Sequence, residues 1–200
     1  GLQAYFGSAQ HRRGVEERRR AIESATRLAQ AARDALVAAG LPCDTVTGAG
    51  TGTFLFEAGS GVYTEIQPGS YILMDVDYAK NEQDPRWPAF DQSLFILATV
   101  MSRRHAAGGD RATLDAGLKA FSTDSGPAQP AFAGWAVRGV SDEHTVLDRV
   151  GDGPALALGD KVRLVPGHVD PTVNLHEWIV AVRGGRVEAV WPIDARGTVY

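Results

Sequence analysis

The chain has 200 residues, 44% hydrophobic, 8% aromatic and 22% charged, a balance that excludes a disordered chain, a collagen-like repeat and a coiled coil. Its 24 acidic and 20 basic residues give a net charge of −4, so no basic footprint points to nucleic acid, and no run of about 18 apolar residues is present to span a membrane. The single cysteine, Cys43, excludes an intramolecular disulfide and fits a reducing, cytoplasmic compartment, and no stretch reads as a signal peptide.

In chain order, Gly1 to Gly7 reads as a short buried strand. The clearest helix follows, with Ile22, Ala25, Ala29, Ala32 and Leu36 recurring at steps of three and four on one face. Glu16 and Glu17 suit its start, Gly40 its end, and Pro42 prevents its resumption. The arginine run Arg18-Arg19-Arg20 is read as a solvated helix face. Cys43 to Val46 reads as a second strand opening into the loop Thr47 to Thr53. A third strand, Val62 to Ile66, leads through the turn Gln67-Pro68-Gly69-Ser70 to a further strand, Tyr71 to Met74. This spacing predicts parallel βα units over residues 1–90. Residues 91–200 read as an antiparallel β domain, with runs at Ser93–Ser102, Trp135–Val140, Lys161–Val165, Trp178–Arg183 and Arg186–Trp191. Gly184-Gly185 marks a hairpin between the last two.

Four motifs carry candidate chemistry. In Pro166 to His176, His168 and Asp170 stand two apart. On an extended segment both would point to one side and share a divalent ion, leaving coordination positions for water or substrate. A carboxylate with an imidazole suits manganese, magnesium, cobalt or zinc. The bland alternative is a polar loop bonded to backbone, and His176 reads equally as a third ligand or as structure. The loop Thr47-Gly48-Ala49-Gly50-Thr51-Gly52-Thr53 could cradle a phosphate with backbone N–H groups and hydroxyls, although a simple tight turn explains it too. Gln67 to Ser70 is a second such place, and two loops after successive parallel strands would lie side by side. Gln3, Tyr5 and His11 could deliver a phenol and an imidazole to one pocket, or be structural. His105 and His144 are read as surface residues, Cys43 as structural, and the four tryptophans as core or interface anchors.

These segments together, from Gly-Leu-Gln-Ala-Tyr and Gly-Ser-Ala-Gln-His through Thr-Gly-Ala-Gly-Thr-Gly-Thr and Glu-Ile-Gln-Pro-Gly-Ser-Tyr to Pro-Gly-His-Val-Asp-Pro-Thr-Val-Asn-Leu-His, resemble the D-threonine aldolase / D-serine dehydratase-like family. This is a group of fold-type III pyridoxal-phosphate enzymes akin to alanine racemase. The resemblance runs from Gly1 to Tyr200. It implies an α/β plus β protein, the C-terminal part of a (β/α)8 barrel over 1–90 followed by an antiparallel β domain over 91–200. It also implies bound pyridoxal 5′-phosphate and a nearby divalent metal, manganese first and otherwise magnesium, cobalt or zinc. Carried over by position, His168 and Asp170 match the metal pair, and Asp170 favours the aldolase branch because the dehydratases carry cysteine there. Thr51, Gly69 and Ser70 match cofactor-phosphate contacts, Gln67 faces the pyridine nitrogen, and Tyr5 and His11 match active-site positions. Phe6 stands where the family suggests a histidine.

The family's Schiff-base lysine lies on the first barrel strand, and Lys80, Lys119 and Lys161 lack its context. The chain therefore reads as a C-terminal half whose N-terminal half supplies that lysine. The implied reaction is retro-aldol cleavage of a small-molecule β-hydroxy-D-amino acid to glycine and an aldehyde, with His11 as base, in a homodimer. Alternatives are a D-serine or 3-hydroxyaspartate dehydratase of the same family, a non-catalytic binding subunit, and a metal-dependent hydrolase.

Overall fold

A computed structural model describes residues 1–105 and 109–198, and the chain divides into two units, Gly1–Ser93 and Leu94–Tyr200. In the first unit, strand β1 (Leu2–Gln3) leads through a 3-10 turn at Gly7–Ala9 into helix α1 (Val15–Ala38). Strand β2 (Val46–Gly48), helix α2 (Phe54–Ala58), strand β3 (Glu65–Ile66), a second 3-10 turn at Ser70–Ile72 and helix α3 (Val76–Ala79) follow. The strands form a parallel sheet in the order β1-β2-β3, with Gln3, Thr47 and Glu65 side by side.

Helix α1 forms where the periodicity placed it. Ala21, Ile22 and Ala29 are buried, and Ile22 packs with Ala9 against Phe6 and Phe56. Gly40 closes the helix at φ 75°, a conformation that favours glycine, and the Leu41 N–H donates to Leu36 O at 3.0 Å. Two expectations fail along its surface. Ala32 is exposed, and Arg18 is not solvated but 2% exposed, donating to the carbonyls of Arg12, Arg13 and Glu82 at 2.7 Å each. The guanidinium is buried with three carbonyls on its two terminal nitrogens, while its Nε is left without a partner.

The expected strand Tyr71 to Met74 is instead a 3-10 turn. Its carbonyls find partners outside any sheet: Ser93 N donates to Leu73 O and Ser93 Oγ to Ile72 O, both at 2.9 Å, while Met74 sits at φ 51°. The second and third strands are also shorter and shifted relative to Cys43–Val46 and Val62–Ile66.

The second unit is antiparallel. Strands β4 (Ile96–Arg104), β5 (Arg111–Leu114), β6 (Gln129–Pro130), β7 (Trp135–Val140), β8 (Thr145–Arg149) and β9 (Lys161–Val165) pair in the order β6-β9-β4-β5-β8-β7. The end strands β6 and β7 also contact each other, so the sheet nearly closes on itself. Phe121, Val100, Leu114, Leu147 and Leu164 fill its interior at 0% exposure, each contributing roughly 1.5–3 kcal/mol by leaving water. Helix α4 (Val169–Val173) follows β9. Strands β10 (Trp178–Arg183) and β11 (Arg186–Pro192) then form a separate hairpin that leaves Trp178 and Trp191 exposed. Among the described residues no helix is long and apolar enough to cross a membrane.

Candidate functional site

The glycine-threonine loop leaves β2 and turns sharply, with Ala49 at φ 70°, a conformation costly for a residue bearing a Cβ. Gln10, fully buried, holds the turn from behind. Its Oε1 accepts from Gly52 N at 2.9 Å and its Nε2 donates to Thr53 Oγ1 at 2.7 Å, while Thr53 Oγ1 donates onward to Glu57 Oε1 at 2.8 Å. Only glycine fits at position 50, where a Cβ would lie 2.6 Å from Gln10 Oε1 and 3.2 Å from Tyr5 Cε2. The Tyr5 ring, half exposed, is thereby brought to the cup. Burial pushes the Glu57 carboxyl up, only partly offset by the Thr53 hydrogen bond.

Thr51 is nearly buried, and its Oγ1 has no hydrogen-bond partner. Buried hydroxyls are rarely left so, and an unmet donor in a glycine-lined turn fits the oxygen of a phosphate. The residues present therefore fit the phosphate end of a pyridoxal-type cofactor. Gln67 lies along the open strand ends. It accepts from Gln3 Nε2 at 3.0 Å, and Thr47 Oγ1 donates to the Gln3 amide oxygen. Gly69 is exposed with nothing near its Cβ position, and Ser70 opens the 3-10 turn after it.

His11 belongs to a neighbouring cluster. Its Nδ1 is 2.5 Å from Asp77 Oδ2, its ring lies 5.8 Å from that of Tyr78, and Arg13 donates to the other Asp77 oxygen. Burial raises the Asp77 carboxyl, but the hydrogen bonds from Arg13 and His11 outweigh it and leave the group below the usual carboxylate range. An anion on Nδ1 selects the tautomer that presents Nε2 as acceptor. Half of the His11 side chain is exposed, so that nitrogen is accessible.

In the second unit the expectation of an extended His168–Asp170 segment is corrected. His168 is extended (φ −144°, ψ 128°) but caps α4, and Asp170 lies in that helix's first turn. Pro171 falls in the first turn, where its missing N–H costs no helical bond, and Thr172 Oγ1 donates to His168 O at 2.7 Å. The two side chains still converge, with His168 Nε2 3.6 Å from Asp170 Oδ2, a separation one divalent ion could bridge. The other ring nitrogen, Nδ1, meets Asp124 Oδ2 at 2.7 Å. Burial raises the Asp124 carboxyl, and hydrogen bonds from Ser122 and His168 overcome that to hold it at about 2. Donor types and ring orientation fit a metal, although among the described residues no group of three or more His, Cys, Asp or Glu side chains is arranged to hold one ion.

His176 Nε2 is 2.7 Å from Ala120 O, which makes this histidine a structural tie to backbone. Cys43 is buried, His105 is exposed beside Asp110, and His144 is half-buried. Gln10, Asp77 and Asp124 escaped the sequence reading, since each meets its partner across 42 to 66 residues of chain.

Comparison with known proteins defines the class first. Residues 93–182 match the family model described as a putative serine dehydratase domain. Over 98% of its length the chain is 50% identical to D-threonine aldolase from Arthrobacter sp., covering 51% of that protein. It is 46% identical over its full length to 3-hydroxy-D-aspartate aldolase from Paracoccus denitrificans, covering 52% of that protein. The crystal structure of D-threonine aldolase from Filomicrobium marinum matches all of the chain with a TM-score of 0.93 at 43% identity, over 54% of the solved chain. The chain belongs to the D-threonine aldolase / D-serine dehydratase-like family and corresponds to its C-terminal part. It spans about half the length of the curated relatives it matches.

Proposed function

We propose that this chain is the C-terminal part of a carbon–carbon lyase that cleaves β-hydroxy-D-amino acids to glycine and an aldehyde. The carrying observation is its likeness to two named aldolases along essentially all of its length, joined to a loop whose one unmet buried hydroxyl suits a cofactor phosphate. In this reading the first unit is part of a (β/α)8 barrel of the alanine racemase type. The other half of the relatives' length supplies the lysine that carries the cofactor.

Thr51 Oγ1 and the Gly50–Gly52 backbone hold the phosphate of pyridoxal 5′-phosphate, with Gly69 and Ser70 as further contacts. Gln67 offers the ring nitrogen a neutral amide, and Tyr5 flanks the cup. His168 Nε2 and Asp170 Oδ2 hold a divalent ion, manganese first. When bound, the cofactor supplies an electron sink for the Cα–Cβ bond and the ion acidifies the β-hydroxyl. His11 Nε2, its tautomer fixed by Asp77, takes the β-hydroxyl proton as the Cα–Cβ bond breaks and the aldehyde leaves, and the electron pair left at Cα takes a proton from solvent to give glycine.

The test is His168→Ala in the whole protein. Aldehyde release is expected to fall by at least 100-fold, and release that survives both this change and chelation overturns the metal role. The β-unit match to a serine dehydratase domain favours one second reading, β-elimination to a keto acid and ammonia. Product analysis separates the two.

A further inference from the structure

An imidazole that binds a metal through one nitrogen almost always donates its other N–H to a carboxylate, a carbonyl or water. That commitment fixes both the tautomer and the plane of the ring. In the second unit, His168 Nδ1 lies 2.7 Å from Asp124 Oδ2, while His168 Nε2 is the nitrogen facing Asp170 Oδ2 at 3.6 Å. An ordinary exposed ion pair would leave Asp124 free to swing and would be worth under about 1 kcal/mol. This carboxylate instead accepts from two serine hydroxyls, one of which is also tied to the Asp124 backbone. Ser122 Oγ donates to its Oδ1 at 2.6 Å, Ser125 Oγ to its Oδ2 at 3.3 Å, and the Asp124 N–H donates to Ser122 Oγ at 3.3 Å.

The loop that carries Asp124 is also stitched to the backbone of His168 itself. Thr172, fully buried, accepts from Ser122 N at 3.1 Å and donates to His168 O at 2.7 Å through the same hydroxyl. His168 is thus tied to this loop at its ring directly and at its backbone carbonyl through Thr172.

We propose that Asp124 is a positioning residue for the metal-binding imidazole: it accepts the Nδ1–H of His168 and so presents the Nε2 lone pair toward Asp170. The inference rests on the reading of His168 and Asp170 as metal ligands. Asp124 does not touch the ion. It sets which nitrogen is available and where that nitrogen points.

The test is Mn(II) titration of the chelator-stripped whole protein, followed by the electron paramagnetic resonance signal of free Mn(II), with the visible cofactor band as a check that the fold persists. Asp124→Ala is expected to weaken Mn(II) binding about 10- to 100-fold, the usual scale for such outer partners. Asp124→Asn, which keeps the shape and an acceptor oxygen, should lose less and covers the case in which the alanine variant fails to fold. His168→Ala and Asp170→Ala should abolish binding at this site. If those two lose Mn(II) while both Asp124 variants bind within twofold of the parent, the positioning role is overturned and the metal site stands. If His168→Ala and Asp170→Ala bind Mn(II) like the parent, the metal reading falls, and this inference with it.

Discussion

Replacing Thr51 by valine should change stability and cofactor binding in opposite directions. Valine keeps the β-branch and nearly the same volume and removes only Oγ1, the buried hydroxyl without a partner. An unpaired hydroxyl taken out of water costs about 1–3 kcal/mol. The variant without cofactor should therefore be more stable by about 1–2 kcal/mol, or about 2–8 °C in Tm for a chain of this size. With cofactor the same hydroxyl donates to a phosphate oxygen, a charge-assisted bond worth about 1.5–3 kcal/mol. Its loss should weaken pyridoxal-phosphate affinity roughly 10- to 150-fold. Calorimetric unfolding of the stripped protein and fluorescence titration of the cofactor measure the two effects separately. A Thr51→Val protein that is less stable without cofactor and binds it unchanged would refute the assignment of the glycine-threonine loop.

Gln10→Leu should cost about 2–4 kcal/mol, because it leaves the Gly52 N–H unmet in a buried turn and strips an acceptor bond from Thr53; thermal unfolding checks it. Arg18→Met, which removes three 2.7 Å bonds to carbonyls, should cost about 3–5 kcal/mol in the same assay. Glu57 gives a pH dependence. Its folded-state carboxyl is raised by burial above 4.5, so the native state binds more protons than the unfolded chain between these two values. The cost of its charge is absent below 4.5, grows as the pH climbs through the raised value, and is complete above it. Glu57→Gln should therefore raise Tm at pH 8 and leave it unchanged at pH 4, and a gain confined to acid would contradict this.

Much of the scaffold was legible in the sequence because it depends on near neighbours. The three- and four-residue spacing around Ile22 and the glycine at 40 define α1, and alternation defines β7, β9 and β10. Strands β5 and β8 were not visible. They are short and charged at one end, and pairing on both sides makes them strands, β5 between β4 and β8 and β8 between β5 and β7, with Arg111 opposite Asp148 in register and joined to it by a 2.8 Å ion pair. The segment Tyr71–Met74 carries an apolar run yet forms no strand, because Ser93 captures its carbonyls from 20 residues away. The candidate site divides the same way. His168, Asp170, Thr51 and Tyr5 stand out as candidates through short motifs read with the family resemblance, whereas Asp124, Asp77 and Gln10 become partners only once the chain has folded.

The most direct measurement follows the fate of the Cα–Cβ bond. The whole protein, supplied with pyridoxal 5′-phosphate and Mn(II), is incubated with carbon-13-labelled D-threonine and 3-hydroxy-D-aspartate and the products are followed by NMR. Glycine and aldehyde formed one to one from a labelled substrate, with neither formed after chelation, is the predicted result. A keto acid with stoichiometric ammonia from these substrates, and no glycine, would contradict it.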